Sequence, residues 1–264
     1  MFLGSDGLRL AASPSSPAIE IRRFSNFRFS RFSSAAIVGD VDDDDGDRYH
    51  AAIRRPPEFK IEIHQELGHS SLAKAVNSRG DTVVATVGQN WSEGPLVVLA
   101  ATGEVQKVPL PGGISPDAVQ QVTIGLDRTI FATARLSDPS DDGTVCFVAK
   151  EQNGEYASQI VPVPGRKSGD LCYVEGGTNT HGAAAFTVVD VHDGLATPVA
   201  YVKNPDGTVT PYSAICPPNP DFYVSSLTGM SNDGSLIGRG YDIKSWTEVT
   251  LRITPDVTTL SSGR

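Results

Sequence analysis

The tetrad Asn77-Ser78-Arg79-Gly80 stands between two apolar runs, and altered copies of it recur about every 50 residues. The copies are Gly125-Leu126-Asp127-Arg128, Asn179-Thr180-His181-Gly182 and Ser231-Asn232-Asp233-Gly234. Asn, Asp and Gly are typical of tight turns because they tolerate a positive φ. Each copy is followed by an apolar strand, a polar loop, a second apolar strand and a further turn. The sequence therefore predicts a repeated antiparallel β unit.

The clearest unit covers residues 72–113. Residues 82–88 are β-branched almost throughout, which is typical of a strand that is buried on both faces. Residues 95–100 are apolar, and residues 104–110 alternate between polar and apolar, as an edge strand with one wet face does. Four antiparallel strands in about 42 residues predict one blade of a β-propeller.

We therefore predict an all-β fold, a β-propeller of about five four-stranded antiparallel blades, with part of a sixth blade as the alternative. Residues 1–33 are predicted to form N-terminal strands or a partial blade, and residues 34–264 the repeat domain, with units at about 34–68, 72–113, 120–166, 174–216 and 224–262. Predicted details include strands at 5–11, 18–22, 121–124, 208–215 and 257–260 and a loop at 40–48. No stretch shows helical periodicity, so we expect less than a tenth of the chain to be helical.

Composition supports a turn-rich globular chain, with 26 Gly, 18 Pro, 39% hydrophobic and 20% charged residues. The net charge is −9, and from residue 61 onward 22 acidic residues face 13 basic ones. Such a body repels phosphates, so we expect no nucleic-acid binding. Residues 1–36 carry a net charge of +3, which indicates a solvated strand edge or, alternatively, contact with an anionic surface.

The three cysteines form no Cys-x-x-Cys pair, and their odd number does not indicate a disulfide framework. Cys146 lies in an apolar run and is predicted to be a small buried hydrophobic residue. Cys172 and Cys216 could pair if the chain is exported.

No apolar run is long enough to cross a membrane, and the first residues lack the pattern of a secretory signal. The Arg/Ser/Phe-rich residues 22–36 faintly resemble a transit peptide, but their Phe-x-Phe alternation favours a strand. We expect an intracellular protein slightly in preference to a secreted one, with a fragment of a longer exported chain as the alternative.

The repeat resembles the HAF family of probable extracellular repeats, which read roughly Ala-x-x-Ile-Asn-x-x-Gly-x-Val-Val-Gly, a variable loop and then His-Ala-Phe-Leu-Trp. Residues 73–85 (AKAVNSRGDTVVA) and 227–238 (LTGMSNDGSLIG) match the first half, and His50-Ala51-Ala52-Ile53 partly matches the second. No unit carries the complete motif. The resemblance implies a propeller-like all-β repeat, suggests an exported setting and carries no enzymatic activity.

Two clusters resemble metal sites. Residues 40–47 are dense in carboxylates, so Asp40, Asp42, Asp44 and Asp45 are candidate calcium ligands, although the EF-hand spacing fails and a solvated loop is the alternative. The His64–His69 segment lacks the helical geometry of a zinc motif. The adjoining residues 68–72 lack the last Gly of a nucleophile elbow and are predicted to form a turn between blades.

Three aromatic side chains, Trp91, Tyr241 and Trp246, fall in or beside loops between strands, where they could contact a sugar or a peptide or pack between blades. Our leading hypothesis is a non-enzymatic, monomeric β-propeller without a cofactor or membrane partner. It presents loops 88–95, 136–144, 190–198 and 240–248 to a protein or a glycan. The alternative is a propeller hydrolase or lyase with carboxylates in its central channel, drawn from Asp81, Asp127, Asp190 and Asp233.

Overall fold

The computed structural model describes residues 28–32, 36–42, 48–55, 61–64, 67, 69–87, 93–138, 140–174, 176, 178–191, 196–216 and 219–254. Over these residues the chain is almost entirely β-structure, with one α-helix of four residues, α1 (Tyr212–Ile215). The described part of the chain contains no helix with the length and apolarity needed to cross a bilayer. The predicted all-β fold with little helix is confirmed.

The strands form five sheets in chain order. Sheet 1 contains β1 (Arg28–Phe32), β2 (Ile37–Asp42), β3 (Tyr49–Arg54) and β4 (Ile61–Ile63). Sheet 2 contains β5 (Ser70–Val76), β6 (Thr82–Val87), β7 (Glu93–Leu99) and β8 (Val105–Val108). Sheet 3 contains β9 (Ile114–Ile124), β10 (Ile130–Leu136), β11 (Thr144–Gln152) and β12 (Glu155–Ile160).

The last two sheets repeat this layout. Sheet 4 contains β13 (Leu171–Tyr173), β14 (Ala184–Asp190), β15 (Thr197–Lys203) and β16 (Val209–Pro211), and α1 follows it. Sheet 5 contains β17 (Phe222–Met230), β18 (Leu236–Asp242) and β19 (Glu248–Ile253). The final strand predicted at 257–260 and the strands predicted at 5–11 and 18–22 lie outside the described residues.

In every sheet the strands pair antiparallel with their neighbours in sequence, which is the up-and-down order of a propeller blade. Each sheet packs its face against the next one along the chain, from sheet 1 through to sheet 5. Four apolar clusters fill the four junctions between consecutive sheets. The architecture is that of a β-propeller, as the repeat predicts.

The second strand of a central sheet contributes buried side chains to the junctions on both of its faces. Val83 belongs to the cluster between sheets 2 and 3, whereas its neighbour Val84 belongs to the cluster between sheets 1 and 2. Phe131 packs towards sheet 4, while Ala132 packs within the junction with sheet 2. Successive side chains of a strand point to opposite faces, so a strand between two neighbours must be apolar at consecutive positions.

Backbone groups at the junctions find partners in hydroxyl side chains of the adjoining sheet. Ser71 Oγ in sheet 2 accepts a hydrogen bond of 2.9 Å from the Ala51 N–H in sheet 1. Thr187 Oγ1 in sheet 4 accepts one of 3.1 Å from the Leu227 N–H in sheet 5. These bonds satisfy buried backbone donors and fix the position of one sheet against the next.

Three local predictions are corrected. The loop expected at 40–48 starts later, because β2 continues to Asp42. The strand expected at 121–124 begins at Ile114, and its two register shifts against β10 allow the longer strand to follow its partner. The strand expected to reach Ile215 ends at Pro211, after which α1 forms and the Cys216 N–H donates to the Tyr212 carbonyl over 2.9 Å. Proline lacks the N–H that a further ladder bond would need.

The cysteine pairing also differs from the sequence prediction. Cys146 in β11 forms a disulfide with Cys172 in β13, and their Cα atoms lie 5.7 Å apart. Cys216 is a free, buried thiol, so the predicted pairing of Cys172 with Cys216 is wrong. The two bonded cysteines belong to the cluster between sheets 3 and 4, which accounts for the apolar setting expected of Cys146.

We expect Phe186→Ala to lower the free energy of unfolding by about 3–5 kcal/mol, as for a fully buried aromatic residue in a core. Phe186 is fully buried between sheets 3 and 4, edge-on to Phe131 and stacked on Tyr201, with both ring centroids at 5.5 Å. Urea unfolding followed by circular dichroism measures the change. Val199→Ala, at an exposed position of the same sheet, is the control and should stay within about 0.5 kcal/mol of the parent protein.

Candidate functional site

The topology gives the sheets two different ends. We call the end that carries the four tetrads, which connect the first and second strands of sheets 2 to 5, the turn end. The second strands of sheets 2 to 5 end at Val87, Leu136, Asp190 and Asp242, at the opposite end of each sheet, which we call the loop end. The described parts of the four loops that were predicted to act together lie at this end, while residues 88–92, 139 and 192–195 lie outside the described residues.

At the turn end, an asparagine links the first tetrad to the second and another links the third tetrad to the fourth. Asn77 Oδ1 accepts the N–H groups of Arg79 and Asp81 at 2.9 and 3.0 Å, and its Nδ2 donates to the Gly125 carbonyl in the following tetrad at 2.9 Å. Asn179 repeats this arrangement towards Ser231, over 3.5 Å. One side chain therefore closes its own turn and fixes the distance to the next sheet.

A charged network reinforces the junction of sheets 2 and 3. The Arg128 guanidinium lies 3.4 Å from Asp81 Oδ1 and 3.3 Å from Glu151 Oε2. Burial by itself raises the pKa of the Asp81 carboxyl. The hydrogen bond from Asn77, the Ala101 N–H and the Arg128 charge outweigh burial, so the pKa of Asp81 lies below its ordinary value of 3.8.

The four carboxylates considered for a catalytic centre do not converge. Asp81, Asp127 and Asp233 stand at or just before the start of a second strand, at the turn end, whereas Asp190 ends β14 at the loop end. Asp127 Oδ1 caps its own turn by accepting the Thr129 N–H at 3.0 Å. Asp233 accepts the Ser235 N–H at 2.9 Å in the same way. Asp81, Asp127 and Asp233 each accept hydrogen bonds from neighbouring groups and stabilise the turns in which they lie.

At the loop end, a partly buried ion pair joins the loop after β10 in sheet 3 to the segment that leads into sheet 4. Asp141 Oδ2 accepts both terminal nitrogens of Arg166 at 3.0 Å, and Oδ1 accepts the N–H groups of Gly143 and Gly169 at 3.0 and 2.9 Å. The Gly169 N–H is the main reason that the pKa of Asp141 lies below its ordinary range. The acidic loop at 137–143 is thus held against the chain that enters sheet 4.

Aromatic side chains gather at the loop end of sheet 5. Trp246, in the connection between β18 and β19, is 72% exposed and has a φ of 53°. Tyr241 and Tyr223 are direct cross-strand partners, and they are 37% and 47% exposed. We call these three residues, with the connection 243–247, the aromatic hairpin. Exposed apolar groups of this kind mark interaction sites more often than scattered single residues do.

Hydrogen bonds hold the hairpin in one conformation. Asp242 Oδ1 accepts the N–H groups of Lys244 and Ser245, each at 2.9 Å, and the Trp246 N–H donates to the Asp242 carbonyl at 2.8 Å. The N–H of Ser245 leads the interactions that keep the pKa of Asp242 below its ordinary value. Lys244 Nζ donates to Asp221 over 2.9 Å, which ties the turn to the segment preceding β17.

Two clefts open between sheet 4 and sheet 5. The first, of about 220 Å³, is lined by residues of β13, β14, β15 and β17, including Tyr173, Thr187 and Ser225. The second, of about 560 Å³, lies between α1 and β19 and includes Tyr212 and Leu251. Neither cleft is lined by Tyr223, Tyr241 or Trp246, so the concave surface and the aromatic hairpin are separate features of sheet 5.

The remaining candidates fall elsewhere. Asp40 and Asp42 lie in β2, while Asp44, Asp45 and Trp91 lie outside the described residues. Among the residues that the structure describes, no group of three or more His, Cys, Asp or Glu side chains could hold a metal ion. The hydroxyl of Ser70 accepts the Tyr49 N–H at 3.2 Å in the junction of sheets 1 and 2, a structural contact and not that of a nucleophile.

Sequence reasoning singled out Tyr241 and Trp246 as binding candidates, whereas it did not single out Tyr223 or the Asp141–Arg166 pair. Tyr223 precedes its turn by several residues, and two bulges in β17 shift the pairing that would identify it as the partner of Tyr241. The charge of Arg166, which follows the acidic loop, Pro162 and Pro164 in sequence, was the available signal for the ion pair.

Comparison with known proteins identifies a fold but no family. No protein family matches the chain, and no curated protein matches it in sequence. The likeness to HAF repeats therefore stays a prediction.

Solved structures include similar propellers. The β-propeller domain of the trilobed protease from Pyrococcus furiosus, which has an open velcro topology, is 9% identical with a TM-score of 0.53, covering 86% of this chain and 68% of that one. TolB from Acinetobacter baumannii is 12% identical with a TM-score of 0.45, covering 83% of this chain. The present chain spans about half of TolB, 53% of its length. At these identities the likeness concerns the fold alone.

We expect the stability difference between the parent protein and Asp81→Asn to depend on pH. The ionised Asp81 contributes stability above its unfolded pKa near 3.8, and this contribution is lost as the pH falls through the lower folded pKa. The variant should be less stable by about 1–3 kcal/mol near neutral pH, and the difference should shrink below about pH 4. Urea unfolding across this range measures it, and a pH-independent difference would contradict the assignment. The exposed Asp142→Asn is the matched control.

We also expect Gly143→Ala to destabilise the loop-end junction of sheets 3 and 4 by about 1–3 kcal/mol. A Cβ at Gly143 would lie close to the Asp170 carbonyl oxygen, and 2.8 Å from the Gly169 carbonyl carbon, so backbone would have to move. Gly112→Ala serves as control, because a Cβ there meets nothing within 4 Å. Equal unfolding midpoints for the two variants would show that the junction tolerates the extra methyl group.

Proposed function

We propose that this chain is a non-enzymatic β-propeller scaffold that binds a protein or a glycan through the aromatic hairpin of sheet 5. The observation that carries the proposal is Trp246, a large apolar side chain that is mostly exposed at the tip of a hydrogen-bonded turn. Tryptophan and tyrosine are enriched at binding surfaces because they offer a large apolar area together with one polar group.

The conformation of the hairpin supports this role. Binding costs conformational entropy when the contacting groups must first be ordered. The Asp242 carboxylate and the Lys244–Asp221 pair already hold the turn, and the pairing of β17 with β18 already places Tyr223 beside Tyr241. Much of that ordering cost is therefore met when the chain folds.

The alternative of a hydrolase or lyase gains no support from the carboxylates that motivated it. Asp81 is occupied by Asn77 and Arg128, and Asp127 and Asp233 cap their own turns. Asp190, at the opposite end, lies 3.2 Å from Lys167. We therefore propose molecular recognition in preference to catalysis, with the chain acting as a monomer. Stacking and hydrogen bonding to a sugar or peptide need no cofactor.

The proposal is tested by screening the purified chain on a glycan array and against a displayed-peptide library, and by titrating the strongest ligand into variants. Trp246→Ala should weaken binding roughly 30-fold, the effect of losing about 2 kcal/mol at a binding hot spot. Val105→Ala removes an exposed apolar group from the outer edge of sheet 2 and should leave affinity unchanged.

The two screens separate the ligand classes, since each contains only one of them. A ligand whose affinity is the same for the parent protein and for Trp246→Ala would place recognition elsewhere on the propeller. Because Trp246 is exposed, its removal should change the free energy of unfolding by no more than about 0.5 kcal/mol, so a loss of binding reports on the contact and not on folding.

A further inference from the structure

The only disulfide among the described residues joins two different sheets. Cys146 lies in β11, the third strand of sheet 3, and Cys172 lies in β13, the first strand of sheet 4. The other junctions among the described sheets are held by apolar packing and hydrogen bonds. The junction of sheets 3 and 4 therefore has a covalent link that its counterparts lack.

The bond lies directly beneath the loop-end contacts of this junction. Thr144, two residues before Cys146, donates its hydroxyl to the Cys172 carbonyl at 3.1 Å and accepts the Cys172 N–H at 2.7 Å. The Thr144 N–H donates to the Asp170 carbonyl at 3.0 Å. The Asp141–Arg166 pair follows on the same side, so the covalent link and the polar contacts act on the same two segments.

Both sulfur-bearing residues are shielded from solvent. Cys146 is 1% exposed and Cys172 is 2% exposed, within a cluster that includes Phe131 and Phe186. Thiol–disulfide exchange requires a thiolate to reach one of the sulfur atoms, so a reductant must wait for the junction to open. The free thiol of Cys216 lies in another cluster, at the junction of sheets 4 and 5.

We propose that the Cys146–Cys172 disulfide is an oxidation-dependent clasp that locks sheets 3 and 4 together at the loop end, so that this chain reaches its full stability only where a disulfide donor is available. On closure, the two thiols transfer two electrons and two protons to a disulfide-containing oxidant, which becomes a dithiol while the S–S bond forms. On opening, a dithiol reductant attacks one sulfur, forms a mixed disulfide, and is released as its own cyclic disulfide, leaving both cysteines as thiols.

The clasp should affect both the stability of the whole fold and the hydrogen exchange of nearby amides. Cross-linking two segments that are 26 residues apart restricts the unfolded chain, and disulfides of this kind commonly stabilise a fold substantially. Opening it should raise the unfolding equilibrium constant roughly a hundredfold. Locally, the amides of Gly143 and Gly169, which both donate to Asp141, should exchange faster with solvent, while the Asn77 turn should be unaffected.

The pairing is tested first on the unaltered full chain prepared under oxidising conditions. Free thiols are alkylated in denaturant without reduction, and the protein is then cleaved with trypsin. Lys150 and Arg166 separate Cys146 from Cys172, so the two peptides should stay linked until they are reduced, with Cys216 as the single alkylated cysteine. An alkylated Cys146, or a peptide linking Cys172 to Cys216, would overturn the proposal.

The clasp is then opened with dithiothreitol and its effect is measured by urea unfolding and hydrogen exchange. The parent protein and the Cys216→Ala control should both lose stability on reduction, and native protein should be reduced at least about tenfold more slowly than protein in urea. The double variant Cys146→Ala/Cys172→Ala should show the lowered stability without reductant. If that variant fails to fold, the comparison of oxidised and reduced parent protein decides, and equal stability of those two states refutes the clasp.

Discussion

Each central sheet of this molecule must cover two apolar faces, and it can do so only between two neighbours. Val83 and Val84 are adjacent in β6, yet they belong to the cores of two different junctions. A two-layer sandwich would ask only alternate residues of the strand to be apolar. A run of consecutive buried residues therefore requires sheets stacked face to face in series. The antiparallel meander within each sheet then brings all four tetrads to the same end.

The tetrads adapt to one another across the junctions. Their fourth residues, Gly80, Arg128, Gly182 and Gly234, all have a positive φ, between 62° and 88°. In the second copy glycine replaces asparagine at the first position, Gly125, and a Cβ there would collide with the hydroxyl of Thr178. The Thr178 hydroxyl donates to the Thr129 carbonyl over 3.5 Å. Where one copy loses the linking asparagine, the next sheet thus supplies a side chain in its place.

Arg128 departs from glycine at the fourth position, and its surroundings explain how this is tolerated. A positive φ is uncommon for a side chain that is not Gly, Asn or Asp. The backbone carbonyl of Arg128 accepts the Tyr156 hydroxyl at 3.2 Å, while its guanidinium reaches Asp81 and Glu151. The tertiary contacts of sheets 2 and 3 hold the residue in place, which local turn propensity alone would not achieve.

The sequence predicted the features that depend on neighbouring residues. The β-branched run at 82–88 is observed as β6, and the alternating segment at 104–110 contains β8. Alternation and turn residues determine these strands locally. The link between Cys146 and Cys172 depends on the relative height of two strands in different sheets, and the pairing of Tyr223 with Tyr241 depends on two bulges. Neither is encoded in a short window of sequence.

The two ends of the propeller differ in the side chains that they expose beside their hydrogen-bonded polar groups. At the turn end, Asp81 accepts hydrogen bonds from Asn77 and Arg128, and Asn77 also donates to the Gly125 carbonyl. The polar groups of these side chains are therefore engaged in joining sheets 2 and 3. At the loop end of sheet 5, Asp242 and Lys244 similarly consume their charges in shaping one turn, yet the turn carries Trp246 outward. Polar residues that hydrogen-bond to one another fix the backbone of the turn, and a fixed backbone leaves less conformational entropy to be lost in any later contact. The backbone position of Trp246 is thus set as the tetrads are, by a side-chain oxygen that accepts the backbone N–H groups of the residues that follow it.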